Sequence, residues 1–204
     1  QILPDETPKL VQEIQSKANG RKIVSLIGVL SSSKDIETLL GVIQLSSELG
    51  KPYYFLIVGE LLLSTFPDKL QTLIQSFLSA PPENVWIHTD RIEDEGSFNS
   101  LYACSDIIFA MYKDFQGSSN TLSKSAYFRK PIIVTQNEYL IAQRVNKHKL
   151  GQGVREGGTE KCLKAIEDLC AQLASGQQFG FEKYMALNSR DILHKILESS
   201  ISQG

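Results

Sequence analysis

The sequence predicts an α/β fold: a doubly wound, Rossmann-like parallel sheet of six strands in the order 3-2-1-4-5-6. Compact apolar runs recur at residues 23–27, 54–58, 85–87, 107–111 and 132–134. Most are apolar on both faces, as strands buried between two helical layers must be. Helical patterns separate them, and strand–helix alternation at this pace builds βαβ units and a parallel sheet. Right-handed crossovers then leave few topologies, among which this order is the common one.

The opening stretch "QILPDETPKL" reads as a linker into a leading helix, so residues 1–21 are set apart from the domain. The first strand, 23–27, ends at Gly28, and residues 35–49 follow as a helix. Strand 54–58 leads to helix 68–78, and strand 85–87, closed by His88, leads to helix 96–104. Strand 107–111 is followed by a polar loop and then by helix 120–128, with Leu122 and Ala126 one turn apart. Pro131 stops that helix before the apolar run 132–134. Helices at 138–147 and 159–173 follow, with a weak sixth strand near Gly153 and Val154. The domain therefore spans residues 22–175. Beyond "ASGQQFG", residues 176–204 form a tail helix whose apolar stripe is Phe181, Tyr184, Met185, Ile192, Leu193, Ile196 and Leu197.

The 204 residues carry a net charge of −2 and are 42% apolar, which fits a globular core and argues against a nucleic-acid footprint. Cys104, Cys162 and Cys170 show neither zinc-ligand spacing nor a disulfide framework. Cys162 and Cys170 share a helix, about 12 Å apart at the helical rise, too far to bond. Reduced thiols fit the cytoplasm, and peripheral contact with a membrane is compatible with that. No apolar run approaches the ~20 residues of an integral membrane segment.

The predicted strand order has a geometric consequence. The ligand crevice of such a sheet opens where the order reverses, between strands 1 and 4. The loops beside it are "GVLSSSKD" and "YKDFQGSSN". A helix N-terminus presents unpaired N–H groups and a partial positive charge, which suits an anion. Gly117, Ser118, Ser119, Asn120 and Thr121 put small residues and hydroxyls at such a mouth. The plainer role for Ser119 or Asn120 is helix capping. Opposite stand Gly28, at the end of strand 1, and Lys34, expected in the first turn of the next helix. There is no G-x-G-x-x-G after strand 1, and "GVLSSSKD" departs from a P-loop at Ser33 and Asp35. His88, His148 and His194 lack an evident nucleophile partner, and no metal-ligand cluster stands out.

The chain also resembles a family. "IVSLIGVLSSSKDIETLL", "YYFLIVGE", "VWIHTDRIEDEGSFNSLYACSDIIF", "GSSNTLSKSAYFRKPIIVT" and "RVNKHKLGQGV" are similar, in order and spacing, to the C-terminal, donor-binding half of GT-B glycosyltransferases of group 1, the glycogen- and sucrose-phosphate-synthase-like group. The resemblance implies a nucleotide-sugar-dependent hexosyltransferase that retains anomeric configuration. Its substrates would be a nucleoside-diphosphate sugar and an unknown acceptor, with no metal or other cofactor. An N-terminal acceptor domain would lie outside this chain, leaving the fragment alone inactive. It also implies site residues. Gly28, Lys34, Ser118, Ser119, Asn120 and Thr121 would hold the donor diphosphate. Arg91, Ile92, Gln116, Gly117, Leu122 and Lys124 would hold the sugar and nucleotide. The chain departs from the family at Val29, where an arginine is usual, and at Gln116 and Lys124, where glutamates are usual. Lys124 cannot accept from a ribose hydroxyl, so Lys124→Glu is expected to improve nucleoside binding. These departures motivate the alternative, a non-catalytic glycosyltransferase-like binding module. A sugar-nucleotide epimerase of related architecture is a third reading.

Overall fold

The computed structural model describes residues 3–188 except Phe115 and Ser118. Its strands are β1 (Lys22–Ile27), β2 (Tyr53–Val58), β3 (Val85–His88), β4 (Ile107–Ala110), β5 (Ile132–Thr135) and β6 (Gly151–Val154). They form one sheet, every pair parallel, in the order β3-β2-β1-β4-β5-β6. The helices are α1 (Lys9–Ala18), α2 (Ile36–Glu48), α3 (Asp68–Ser79), α4 (Glu95–Cys104), α5 (Asn120–Tyr127), α6 (Leu140–His148), α7 (Thr159–Ala174) and α8 (Phe181–Leu187). Among the described residues, no helix is long and apolar enough to cross a membrane.

Alternation along the strands feeds two cores. Ile23 and Ile27 of β1 join Tyr54, Leu56 and Val58 of β2 on one face, under α1, α4, α5, α6 and α8. Val24 and Leu26 join Tyr53, Phe55 and Ile57 on the other, under α2, α3 and α7. Each such side chain contributes about 1.5–3 kcal/mol by leaving water. Phe55 has no exposed surface, so truncation to alanine costs about 3–5 kcal/mol.

The flanking segments pack on the same sheet. In α1, Val11, Ile14 and Ala18 fall on one helical stripe and are buried. The Trp86 indole N–H donates to Glu13 at 3.3 Å, and Arg21 lies over the Tyr54 ring at 4.6 Å. In α8, Phe181 and Tyr184 are buried in the first core. The expected remainder of the tail stripe, Ile192 to Leu197, lies outside the described residues, as does His194.

Small departures have local causes. β4 stops at Ala110 because the Met111 carbonyl accepts the Asp35 N–H at 3.0 Å instead of extending the ladder. α6 starts at Leu140, later than the pattern suggests, because the Asn137 side chain accepts the Tyr139 N–H at 3.0 Å in a local turn. β6 carries little apolar signal in "GQGV" because it runs so close to β5 that a Cβ on Gly151 would overlap the Ile132 backbone. The short 3-10 helix Leu63–Thr65 has no counterpart in the sequence reading.

Candidate functional site

The switch point lies between β1 and β4, and the loops after these strands adjoin there. Residues Lys34 and Tyr112 form an isolated antiparallel bridge. The Lys113 N–H donates to the Ser33 carbonyl at 2.9 Å. The Asp35 side chain caps α2, accepting from the Thr38 N–H at 3.3 Å and the Thr38 hydroxyl at 2.6 Å. Lys34 therefore precedes the cap. It does not sit in the first turn of α2, which corrects the sequence expectation.

Lys34 is buried, 7% exposed, and its ammonium donates to the Ile27 carbonyl at 2.9 Å. Burial alone pushes its pKa down to about 8. A Cβ built on Gly28 would stand 3.6 Å from that nitrogen, so the ammonium lies against the Gly28 turn. Gly28 has φ +101° and Gly59, at the end of β2, has φ +139°. A Cβ on Gly59 would overlap the Gly28 carbonyl. Only paired glycines allow these two strand-end turns to approach so closely.

Beside the two glycines opens a cavity of about 390 Å³. Its wall includes Gly28, Val29, Gly59 and Glu60 from the ends of β1 and β2. The loop after β3 and the start of α4 add Arg91, Ile92, Glu93, Glu95 and Phe98. Of the residues singled out in the sequence, Gly28, Arg91 and Ile92 thus meet at one cavity. Val29 is half exposed at its mouth.

Lys124 reaches the same neighbourhood from α5. It is buried, and its ammonium donates to the Asn99 side-chain oxygen at 2.6 Å, lies 4.0 Å from Glu95 and sits 5.3 Å above the Phe98 ring. Burial lowers its pKa and Glu95 opposes the shift.

At the mouth of α5, Ser119 is the cap. Its oxygen accepts the Thr121 N–H at 3.1 Å and pairs with the Tyr112 hydroxyl at 2.9 Å. The Tyr112 hydroxyl also donates to Thr121 at 3.3 Å. Thr135 holds Tyr112 from behind, accepting its N–H at 2.8 Å and donating to its carbonyl at 2.7 Å. Asn120, Gln116 and Gly117 are exposed, and Ser118 lies outside the described residues. The Leu122 side chain is buried in the first core, so only its backbone stands near the mouth of α5. Lys113 lies 3.6–3.8 Å from Asp35, Glu37 and Glu156, which ties the loop after β4 to α2.

The sequence reading missed Gly59, Glu60, Glu95, Phe98, Asn99, Tyr112 and Thr135. Gly59 had a signal, since it ends an apolar strand beside the switch point. Glu95, Phe98 and Asn99 meet Lys124 only because α4 packs on α5, and Tyr112 meets Thr135 only because β4 pairs with β5.

A six-stranded parallel sheet in this order, with its cavity at the carboxyl ends of the strands, is the architecture of the C-terminal half of GT-B glycosyltransferases. The structure superposes on a glycosyltransferase from Rickettsia africae with a TM-score of 0.67 at 19% identity, covering 95% of this chain and 52% of that one. It matches the C-terminal domain of a group 1 family glycosyltransferase, LpcC, from Francisella tularensis with a TM-score of 0.66 at 15% identity, covering 90% of this chain and 93% of that one. It also matches the E. coli trehalose-6-phosphate structure bound with UDP-2-fluoro glucose, with a TM-score of 0.69 at 12% identity, covering 100% of this chain and 47% of that one. The chain thus spans about half the length of the first and third of these proteins. At such identities the shared property is the fold. No family model matches the chain, and no curated protein matches it by sequence.

Proposed function

We propose that this chain is the donor-binding domain of a nucleotide-sugar-dependent glycosyltransferase. The observation that carries the reading is the cavity of about 390 Å³ at the carboxyl ends of β1, β2 and β3, beside the switch point, where Gly28, Arg91 and Ile92 meet. The volume suits a nucleoside, within the range of small-molecule sites. The paired glycines let a ligand approach backbone N–H groups. The donor diphosphate would lie between the Gly28 turn, backed by the Lys34 ammonium, and the N-terminus of α5. There the positive end of the helix would stabilise the leaving diphosphate as charge develops. The bound UDP-2-fluoro glucose of the E. coli structure of the same fold supports a sugar nucleotide as the ligand class. In this reading transfer retains configuration and needs no metal. The acceptor and further catalytic groups belong to an N-terminal domain, so this domain alone would not turn over.

A second reading, a non-catalytic binding module of the same fold, draws on one observation. The cavity wall sets Arg91 against Glu60, Glu93 and Glu95, a field that opposes a diphosphate. Calorimetric titration with UDP-, GDP- and ADP-sugars separates the two. Micromolar binding of one of them, competed by its nucleoside diphosphate, supports the donor domain. No heat with any of them supports the binding module.

A further inference from the structure

Four acidic side chains stand near the start of α4 or the end of β2: Glu60, Glu93, Asp94 and Glu95. Their meaning rests on the reading of this cavity as the nucleotide pocket. Asp94 is occupied as the cap of α4, accepting the Ser97 N–H at 2.6 Å. Glu60 and Glu93 sit on loops, and among the described residues no ion pair holds either. Glu95 differs in two ways. Its backbone belongs to the first turn of α4 and is fixed there. Its carboxylate lies 4.0 Å from the Lys124 ammonium, while its side chain remains 74% exposed.

Lys124 is itself held in place. Its ammonium donates to Asn99, which has no exposed surface, and lies over the Phe98 ring, which also lines the cavity. A buried cation on one helix therefore stands behind an exposed carboxylate on the next. That side chain lines the cavity, and among the described residues no hydrogen bond takes up its carboxylate oxygens. Two acceptor oxygens side by side are the complement of a cis-diol, whose two hydroxyls can donate one to each. A nucleotide carries such a diol on its ribose. Bonds to an ionised acceptor are the stronger kind, and an acceptor held beforehand loses less on ordering.

We infer that Glu95 is the acceptor for the ribose hydroxyls of the bound nucleotide, and that Lys124 is the positioning residue that holds its carboxylate at the cavity. The lysine makes no ribose contact of its own. A glutamate at position 124 would stand beside Glu95 as a like charge. The cation across the α4–α5 contact is what makes a carboxylate on α4 usable.

The test compares ribo- and 2′,3′-dideoxyribonucleoside diphosphates of uracil, guanine and adenine by calorimetry on the full chain. The wild type should prefer the ribo form of the base it binds by at least roughly ten-fold, the worth of one or two charge-assisted hydrogen bonds. Glu95→Ala should remove that preference, whatever the loss of its charge does to the affinity common to both forms. Lys124→Met should shrink the preference, and Lys124→Arg should restore it. A preference that survives Glu95→Ala overturns the inference. So does a loss in Lys124→Met that is equal for ribo and dideoxy ligands, the mark of a merely structural role. Because Glu95 is exposed, its variant folds even if Lys124→Met does not. Failure of the wild type to bind any of these diphosphates would overturn the reading of the cavity itself, and the inference with it.

Discussion

The Lys34 ammonium donates to the Ile27 carbonyl at 2.9 Å, and among the described residues no carboxylate pairs with it. The neighbouring acid, Asp35, turns its oxygens to Thr38 and toward the Gly157 N–H. A buried cation left with one neutral acceptor is a cost to the fold, since one carbonyl replaces a full hydration shell. In the proposed function, the donor diphosphate would offset that cost.

The first prediction concerns stability and pH. The Lys34 pKa falls from 10.5 to about 8 through burial. Below about 8 the amine is charged in both folded and unfolded states, and the folded state bears the desolvation cost. Between about 8 and 10.5 the unfolded chain binds more protons, so this contribution to stability rises with pH. Lys34→Met should stabilise the free protein at pH 7, by on the order of 3 kcal/mol at most, since each tenfold change in proton affinity is worth about 1.4 kcal/mol. The advantage should vanish by pH 10.5. Denaturant melts of both proteins at the two pH values check it, because the difference cancels the tyrosine and cysteine titrations common to both. A constant difference would show that lost packing, not charge, is being measured.

The same variant should fail at binding. Lys34→Met should weaken a nucleoside diphosphate by roughly ten- to hundred-fold and leave the bare nucleoside unchanged, as loss of a charge-assisted contact requires. In the wild type near pH 8, an arriving diphosphate should favour the ammonium form and draw in a proton. Titrations in buffers of different ionisation heat measure that uptake. Equal loss for nucleoside and diphosphate would remove Lys34 from the phosphate site.

The turn at Gly59 should not tolerate a side chain. Gly59→Ala must move the Gly28 carbonyl and hold φ near +139°, where L residues are strained. A loss of about 2 kcal/mol or more is expected, together with loss of ligand binding. Gly176→Ala is the control, with φ +71° and nothing within 4 Å of the new methyl. It should cost only about 1–2 kcal/mol and leave binding intact. Chemical denaturation of the two variants compares them directly.

Lys124→Glu now carries the opposite sign to the sequence expectation. The exchange removes the bond to Asn99 and sets a second carboxylate beside Glu95. It should destabilise by about 1–3 kcal/mol, as loss of a buried hydrogen-bonded partner does. It should also weaken ribonucleotide binding. Tighter binding in this variant would restore the simpler view that residue 124 itself faces the ribose.

The sheet was legible in the chain because its signal is local and repeated. Runs such as Tyr53–Val58 are apolar on both faces, and only a strand covered by helices on both sides needs that pattern. Parallel pairing and handed crossovers then determined the strand order, and the order determined where the crevice opens. Strand order alone reached Gly28 and the loops after β1 and β4, whereas Arg91 and Ile92, which line the cavity with Gly28, were legible only through the family resemblance. The direction of each charged side chain was not. Lys34 was expected in the first turn of the next helix, facing the crevice, yet it precedes that helix and folds back under Gly28 onto Ile27. Lys124 looked like a lost glutamate, yet it stands behind Glu95, twenty-nine residues away, with Asn99 as its acceptor. Local periodicity encodes which face of an element is buried. Which polar groups meet across that burial depends on how α4 and α5 pack against each other, and only the tertiary structure decides it.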